Sequence, residues 1–562
     1  RVTAVDAAGA RRCVTMEAGY ESNAPTIADV DRRGLVQASD LAGEAAILVR
    51  FQGHVAVSRI TIPRPGVLFA RPAETNFIDK LVWDKLQRLG IVPSEPADDA
   101  TFLRRLYLDV IGTLPTADEA RAFLADTGPD KRARLIDRVL DREEYADYWA
   151  MRWSDLLRVD RDRVTPPVAI ATSRWLHRQF AENRPYDEFV REIVTVQGNT
   201  AAEGPAGFYR VLDTPELLAR SMSQLFLGVR IECAQCHHHP AERWGQDDYY
   251  ALAGFFTGIV RKNLPTGRMA IVSRGGTDLA NPRSGQVVAA RALGAPPADF
   301  AQAGDRRMKL AEWMTATDNP YLATAISNRL WAHYFGRGLV EPLDDLRATN
   351  PATNEPLLVA LAGHMRGVKF DLKAFTRTLL NSRAYQLSSR ANESNAGDLQ
   401  NFSHAAQKAL PAEVLLDGIC QVTGVPEKFN GWPEGFRAVQ IWDNRMPSYF
   451  FRIFGRPVRA SVCECERSNE PSITQALHLM NSPEMTAKLH DRRGRVRQLA
   501  DSPLDPGAAV DELCLTALAR FPSDAERAVL LDEFAVSGAD RRAALEDVLW
   551  TLINSKEFLY NH

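Results

Sequence analysis

Cysteine is scarce in this chain, and no charge sign dominates. Seven cysteines in 562 residues are too few for a disulfide-built scaffold, and their odd number leaves at least one thiol unbridged within the chain. The formal net charge is −3, so nothing in the overall balance forms the basic footprint of a nucleic-acid binder or the patch that an anionic membrane surface attracts. No apolar run reaches the roughly 18 residues of a membrane-spanning helix. No Walker loop occurs, no Gly-x-Gly-x-x-Gly follows a strand, and no Gly-x-Ser-x-Gly elbow is present, which removes the motif grounds for a P-loop NTPase, a dinucleotide enzyme and an α/β-hydrolase. The chain begins at Arg1 without a charged-then-apolar leader, as expected of a processed exported chain or of a fragment. Apolar residues at 45% and charged residues at 25% describe an ordinary globular protein long enough for two to four domains.

What is present concentrates in one run, Ile231-Glu-Cys-Ala-Gln-Cys-His-His-His-Pro240. Within it Cys233-Ala-Gln-Cys236-His237 has the spacing for covalent haem attachment. Each thiol can form a thioether to one vinyl group, and the following imidazole can ligate the iron. Chance produces such a pentad in roughly one or two of a thousand chains of this composition. Two other readings stand beside it: a thiolate metal site and a redox disulfide or plain thiols. Cys463-Glu464-Cys465 is the second close pair, and Cys233, Cys236, Cys463 and Cys465 together would make a four-thiolate zinc site if folding brought them together. His237 and His239 could share one ion with a thiolate, although His239 lies too close in sequence to reach the far face of a haem. His333, on the aromatic stretch Trp331–Phe335, is a candidate distal ligand or acid/base group, with a satisfied core histidine as the plainer reading. Met222, Met269, Met308 and Met314 are unranked candidates for a sixth ligand. Cys13, Cys420 and Cys514 read as small buried apolar residues. The neighbouring carboxylates Asp247/Asp248 and Asp344/Asp345 read as helix caps or solvated groups more readily than as a glycosidase pair.

The expected fold is mainly α, a multi-helical two-part body with a small N-terminal β-sandwich. Residues 1–63 look β-rich. Ala45–Phe51 and His54–Ile62 form a hairpin through Gln52-Gly53, and a phase shift between Val57 and Ile60 predicts a bulge. Pro63-Arg-Pro-Gly66 reads as a linker. From residue 75 the period is helical: Ile78, Leu81, Val82, Lys85, Leu86 and Leu89 share a face and Gly90 closes it. Thr116–Glu119 and Ser523–Glu526 are capping boxes within a weak internal echo. Thr214 and Pro215 open the helix before the Cys/His run, with Leu218, Met222, Leu225 and Phe226 on its buried face. Asp247 or Asp248 opens the next, which carries Tyr249, Leu252, Phe255 and Phe256. Those two faces could wall a haem or equally be ordinary helix-pair packing. Residues 263–304 form a long irregular connection, after which helices resume.

Several further segments carry a resemblance. They are Phe102-Leu-Arg-Arg-Leu-Tyr-Leu-Asp109, Cys233–Pro240, Asp305-Arg-Arg307, Asn319-Pro-Tyr321, Asn328–Gly338, Cys463-Glu-Cys-Glu-Arg467, Gln475–Leu479 and Asn554–Phe558. Over about residues 75–562 the chain resembles the planctomycete cytochrome-like exported proteins, in which a cytochrome-type domain precedes a planctomycete-specific second domain. Residues 1–63 resemble a bacterial Ig-like (group 2) module. The resemblance implies a domain order of 1–63, 75–260 with the Cys-x-x-Cys-His motif, and 265–562. It also implies export, to the periplasm or cell surface, and maps Cys233, Cys236 and His237 onto the haem-attachment motif. It carries over no catalytic residue of the second domain. The expected protein is thus an exported haem c protein in electron transfer or a haem-dependent oxidation, with a redox partner or a small-molecule or polysaccharide-derived substrate and no nucleic-acid partner. The alternatives are a structural or binding protein whose Cys/His cluster holds zinc or another transition metal ion, and a cell-surface interaction protein with thiols only.

Overall fold

The computed structural model describes the chain apart from residues 302, 303, 463–465, 468, 469, 537 and 539. The fold is mainly helical, with small antiparallel sheets gathered at the start of the chain and after the Cys/His run. The hairpin of Gly43–Phe51 with His54–Ile62 forms as the alternation predicts. Its turn residues Gln52 and Gly53 both take positive φ, 48° and 78°, the backbone that two-residue hairpin turns require. The predicted bulge does not occur: pairing runs unbroken from Phe51↔His54 to Gly43↔Ile62. The phase shift is a change of covered face instead. Val55 and Val57 are half-buried on one side, whereas Ile60 and Ile62 pack on the other against Ile27, Ala28 and Ala45. The remaining N-terminal strands form a third strand beside this hairpin and two separate two-stranded sheets, so the region holds three small sheets around a small core. Cys13, expected to be buried, is exposed on one of these strands beside Thr15.

The helices start and stop where their sequence chemistry says. Asn76 caps Phe77–Leu89 by accepting from the Ile78 amide, and Gly90 ends it at φ 66°. A Cβ at Gly90 would lie 2.4 Å from the Arg64 carbonyl oxygen, so this glycine answers both to a left-handed backbone and to a close chain approach. Thr116 and Glu119 satisfy each other's orphan amides, as do Ser523 and Glu526. Recurrent helix-start chemistry accounts for the echo between these regions as well as duplication does. Among the described residues no helix is long and apolar enough to cross a membrane.

The chain folds into two compact units, each discontinuous in sequence: residues 1–96 with 184–405, and residues 97–183 with 406–562. In the first, Leu322–Phe335 packs on Glu355–Gly367, and Trp331 is fully buried, stacked on Phe335 and perpendicular to Phe402. In the second, Glu144–Leu156 packs along Pro166–Ala181. Arg104, 2% exposed, donates to the carbonyls of Phe558 and Tyr560, so the last turn of the chain is tied to the Asp99–Ile111 helix. This second unit also buries charge. Glu413, with no exposed surface, accepts from Arg456 at 3.1 Å and from Arg467 at 2.6 Å, and Asp155 takes Arg459 and Arg467 at 2.9 and 2.7 Å. Charges at such depth persist only when paired and hydrogen-bonded.

Candidate functional site

The Cys/His run lies on the first unit, between two helices that hold its ends. Thr214 caps Pro215–Met222, which continues through a wider turn at Ser223–Leu227 and closes at Gly228. Val229 and Ile231 then sink into the core, and the chain makes a single tight turn over Glu232–Gln235 with Ala234 as its buried anchor. The Cys233 carbonyl accepts from both the Cys236 and His237 amides, at 3.4 and 3.3 Å. With Ala234 inward, both thiols face outward: Cys233 and Cys236 are exposed and unbridged.

The neighbouring imidazoles are fixed in opposite tautomers. His237 is exposed, and its Nδ1 lies 2.7 Å from the His238 carbonyl. A carbonyl oxygen only accepts, so the ring proton sits on Nδ1 and the Nε2 lone pair is left to a ligand. His239 is buried at 9% exposure, and its Nδ1 accepts from the Ala241 amide at 3.2 Å. That contact places the proton on Nε2. Burial, aided by the nearby Arg347, pushes its pKa below the usual imidazole value, so the ring stays neutral. His239 thereby holds the loop, and its own amide donates to the Trp244 carbonyl at 2.9 Å.

The far end is held as firmly. Gln246 donates to the Gln235 carbonyl at 3.0 Å, and Asp248 accepts from the Gly245 amide at 2.9 Å to start Gln246–Ala253. Arg220 pairs with Glu232, and the Tyr249 hydroxyl donates to the Glu216 carbonyl. The eight apolar residues that could wall a haem are all 2% exposed or less. They are consumed in packing the two helices against each other and against the core. The thiols and His237 therefore sit on the outer surface of that packing, and a macrocycle anchored there would lie against the protein's face.

The loop runs on into the wall of a cavity of about 540 Å³, a size typical of small-molecule sites. Glu242, Arg243, Trp244, Tyr321, Arg347 and Asn350 contribute to its lining. The Arg243 guanidinium lies 4.5 Å over the Trp244 ring, and Glu242 accepts from the Ala348 amide at 2.9 Å. Sequence reasoning missed these residues. The only local signal was Glu242-Arg243-Trp244 directly after the motif; Tyr321 and Arg347 come from distant segments.

The other predicted residues divide. His333 is half-buried and edge-on to Tyr334, on a helix that packs against the Ser223–Leu227 turn. Met222 and Met314 are core residues, whereas Met308 is exposed. Cys463 and Cys465 lie outside the described residues, so the four-thiolate site falls there too. Among the described residues no group of three or more His, Cys, Asp or Glu side chains is arranged to hold a metal ion. Asp247 accepts from Asn281, Asp248 pairs with Arg291, Asp344 pairs with Arg230 and Asp345 with Arg347; these carboxylates serve structure. Cys514 is buried, and burial raises both its thiol and that of Cys420 to about 12.

Residues 77–261 match the family model described as PSCyt2, protein of unknown function (DUF1549), and residues 306–534 match that described as PSD1, protein of unknown function (DUF1553). These two matches, in this order, are the two-domain planctomycete-type arrangement. No curated protein and no solved structure matches the chain.

Proposed function

With that two-domain arrangement as the frame around the Cys/His loop, we propose that the chain is an exported c-type haem protein acting in electron transfer or a haem-dependent oxidation. One observation carries the reading. Two exposed, unbridged thiols on one tight turn are followed by an imidazole whose Nδ1 is already engaged by a carbonyl. That is the arrangement in which Nε2 is oriented toward a metal by a backbone partner.

In this reading Cys233 and Cys236 would hold the haem through thioethers, and His237 would offer its Nε2 to the iron. The haem, when bound, supplies one-electron chemistry. The protein's part is to hold the turn. Ala234 anchors it, Arg220 pins Glu232, Gln246 pins Gln235, and neutral His239 fixes the exit of the loop. Because the apolar residues behind are spent on packing, the ring would be open to a partner, which suits electron exchange at the surface. The cavity entered by Glu242–Trp244 offers a place for a small-molecule or polysaccharide-derived substrate. We read the N-terminal sheets as the Ig-like module of an exported chain. The alternative, an ion held by the two thiolates with His237 and His239, requires His239 to release the Ala241 amide.

Production together with the haem-attachment machinery tests the reading. A pyridine haemochrome spectrum of the purified chain, with colour surviving acid-acetone extraction, is the expected result. A colourless protein, or one whose colour extracts fully, overturns it, and Cys233→Ala/Cys236→Ala must lose the covalent pigment.

A further inference from the structure

The second unit holds a cavity of its own, about 340 Å³, within the range of small-molecule sites. Its floor is the paired helices Glu144–Leu156 and Pro166–Ala181. Its cover is the irregular aromatic segment around residues 432–442. Three rings from that segment line it. Trp432 lies 5.3 Å from Phe436 and 5.8 Å from Trp442, centroid to centroid, with planes inclined at 54° and 55°. None of the three is fully buried, so their faces are not exhausted by packing.

The opposite edge is polar. Asp147 accepts from Gln440 Nε2 at 2.8 Å and faces His177 Nε2 at 3.3 Å. Both carboxylate oxygens are thus committed, and the hydrogen bond from His177 to Asp147 holds that imidazole above its usual pKa. Arg459, at the back, is spent on Asp155 and on the Val159 and Trp442 carbonyls, and so fixes the backbone beneath the Trp442 ring.

This combination selects among ligand chemistries. A quaternary ammonium group would find aromatic faces, but Asp147, the one acidic group among the described lining residues, already faces His177. A phosphate would find Arg459 occupied and the other lining guanidinium, Arg174, on an exposed side chain. A lipid chain would strand the polar edge. A neutral ring with one C–H face and hydroxyls around its rim uses both sides: the face stacks on tryptophan and the rim reaches His177, Asp147 and Gln440.

We propose that this cavity is a carbohydrate-binding site, with a pyranose ring stacked on Trp442 or Trp432 and its hydroxyls bonded to the Asp147–His177–Gln440 edge. The site is built from residues of the second unit alone and does not depend on the haem reading; it is tested equally in the Cys233→Ala/Cys236→Ala chain.

Isothermal titration calorimetry of the full chain with cellohexaose, laminarihexaose and xylohexaose, backed by tryptophan fluorescence, tests it. Saturable binding of at least one hexasaccharide is expected, with choline chloride and inorganic phosphate silent. Trp442→Ala should weaken that binding about tenfold or more while Trp442→Phe keeps most of it. His177→Gln, at an exposed side chain, should weaken it several-fold. Failure of all three saccharides up to about 10 mM, binding of choline or phosphate in their place, or affinity unchanged in both Trp442→Ala and His177→Gln overturns the proposal. Should Trp442→Ala misfold, His177→Gln alone decides.

Discussion

Glu413 and Asp417 lie one turn apart on the Ala412–Thr423 helix, and the interior around them drives their acidities in opposite directions. Burial raises both. At Glu413 the guanidiniums of Arg467 and Arg456 outweigh it and hold the carboxyl well below the usual range. At Asp417 burial prevails and lifts the pKa to about 6, since Arg437 is 3.5 Å away and the Ala438 and Val439 amides offset only part of the cost. Two carboxyls of one helix thus ionise in different pH ranges because one has two buried cations in contact and the other has none so close.

The pH signature of Asp417 follows by linkage. Its folded pKa is raised, so the folded chain binds the proton more tightly than the unfolded one. The stability this confers is complete below the unfolded value of 3.8 and is lost as pH rises through about 6, a change of about 3 kcal/mol. Asp417→Asn cannot ionise and lacks that loss. Urea unfolding near pH 4 and near pH 7.5 should therefore show the wild type's advantage over the variant shrinking as pH rises. A gap that stays constant with pH would contradict the burial argument.

Glu413→Gln removes the charge and leaves Arg456 and Arg467 facing a neutral amide, at side-chain exposures of 3% and 6%. Stability should fall by about 3 kcal/mol or more, the usual cost of stranding a buried ion. Asp501→Asn is the control, because its pair with Arg497 at 2.7 Å is exposed on both sides and should matter by about 0.5 kcal/mol or less. Equal losses in the two variants would show that depth is not what decides.

His237 and His239 should separate in the haem-loaded chain. If Cys233 and Cys236 hold haem as proposed, His237→Ala should leave the pigment covalent while the Soret maximum moves. With His239→Ala the spectrum should stay and the loop should loosen, since the Ala241 amide loses its acceptor at about 1 kcal/mol. Visible spectra and limited proteolysis near residue 240 read the two effects. A spectrum that responds to His239→Ala as strongly as to His237→Ala would make His239 a ligand.

Much of this was legible because it is local. Thr116 with Glu119, Gly90 directly after Leu89, and Gln52-Gly53 between two alternating runs state their geometry within a few residues, and the backbone obeys. The bulge near Val57 was misread because alternation reports which face is covered, and that depends on Ile27 and Ala28 arriving from another sheet. What the two apolar helix faces pack against was not legible for a related reason. Leu218 or Phe255 shows in sequence that it will be buried, without showing whether helix or cofactor buries it. The pairing of Arg104 with Phe558, of Glu413 with Arg467, and of Asp147 with His177 and Gln440 spans from tens to hundreds of residues, and no period or spacing marks such pairs. The division into two discontinuous units is of that kind as well.

Gly53 and Gly90 test how much of a glycine's value is conformation and how much is space. Both take positive φ, 78° and 66°. A Cβ at Gly53 would meet nothing within 4 Å, whereas one at Gly90 would lie 2.4 Å from the Arg64 carbonyl oxygen. Alanine at Gly53 therefore carries only the left-handed backbone cost, about 1 kcal/mol. At Gly90 the same cost is joined by a collision with main chain, which cannot rotate away as a side chain can, and the Arg64 amide is itself bonded to the Leu89 carbonyl at 2.8 Å. Gly90→Ala should accordingly cost about 2 kcal/mol more than Gly53→Ala in thermal or urea unfolding. If the two substitutions cost the same, the chain at Arg64 yields freely, and the linker between the N-terminal sheets and the first helix is not held where the hydrogen bond places it.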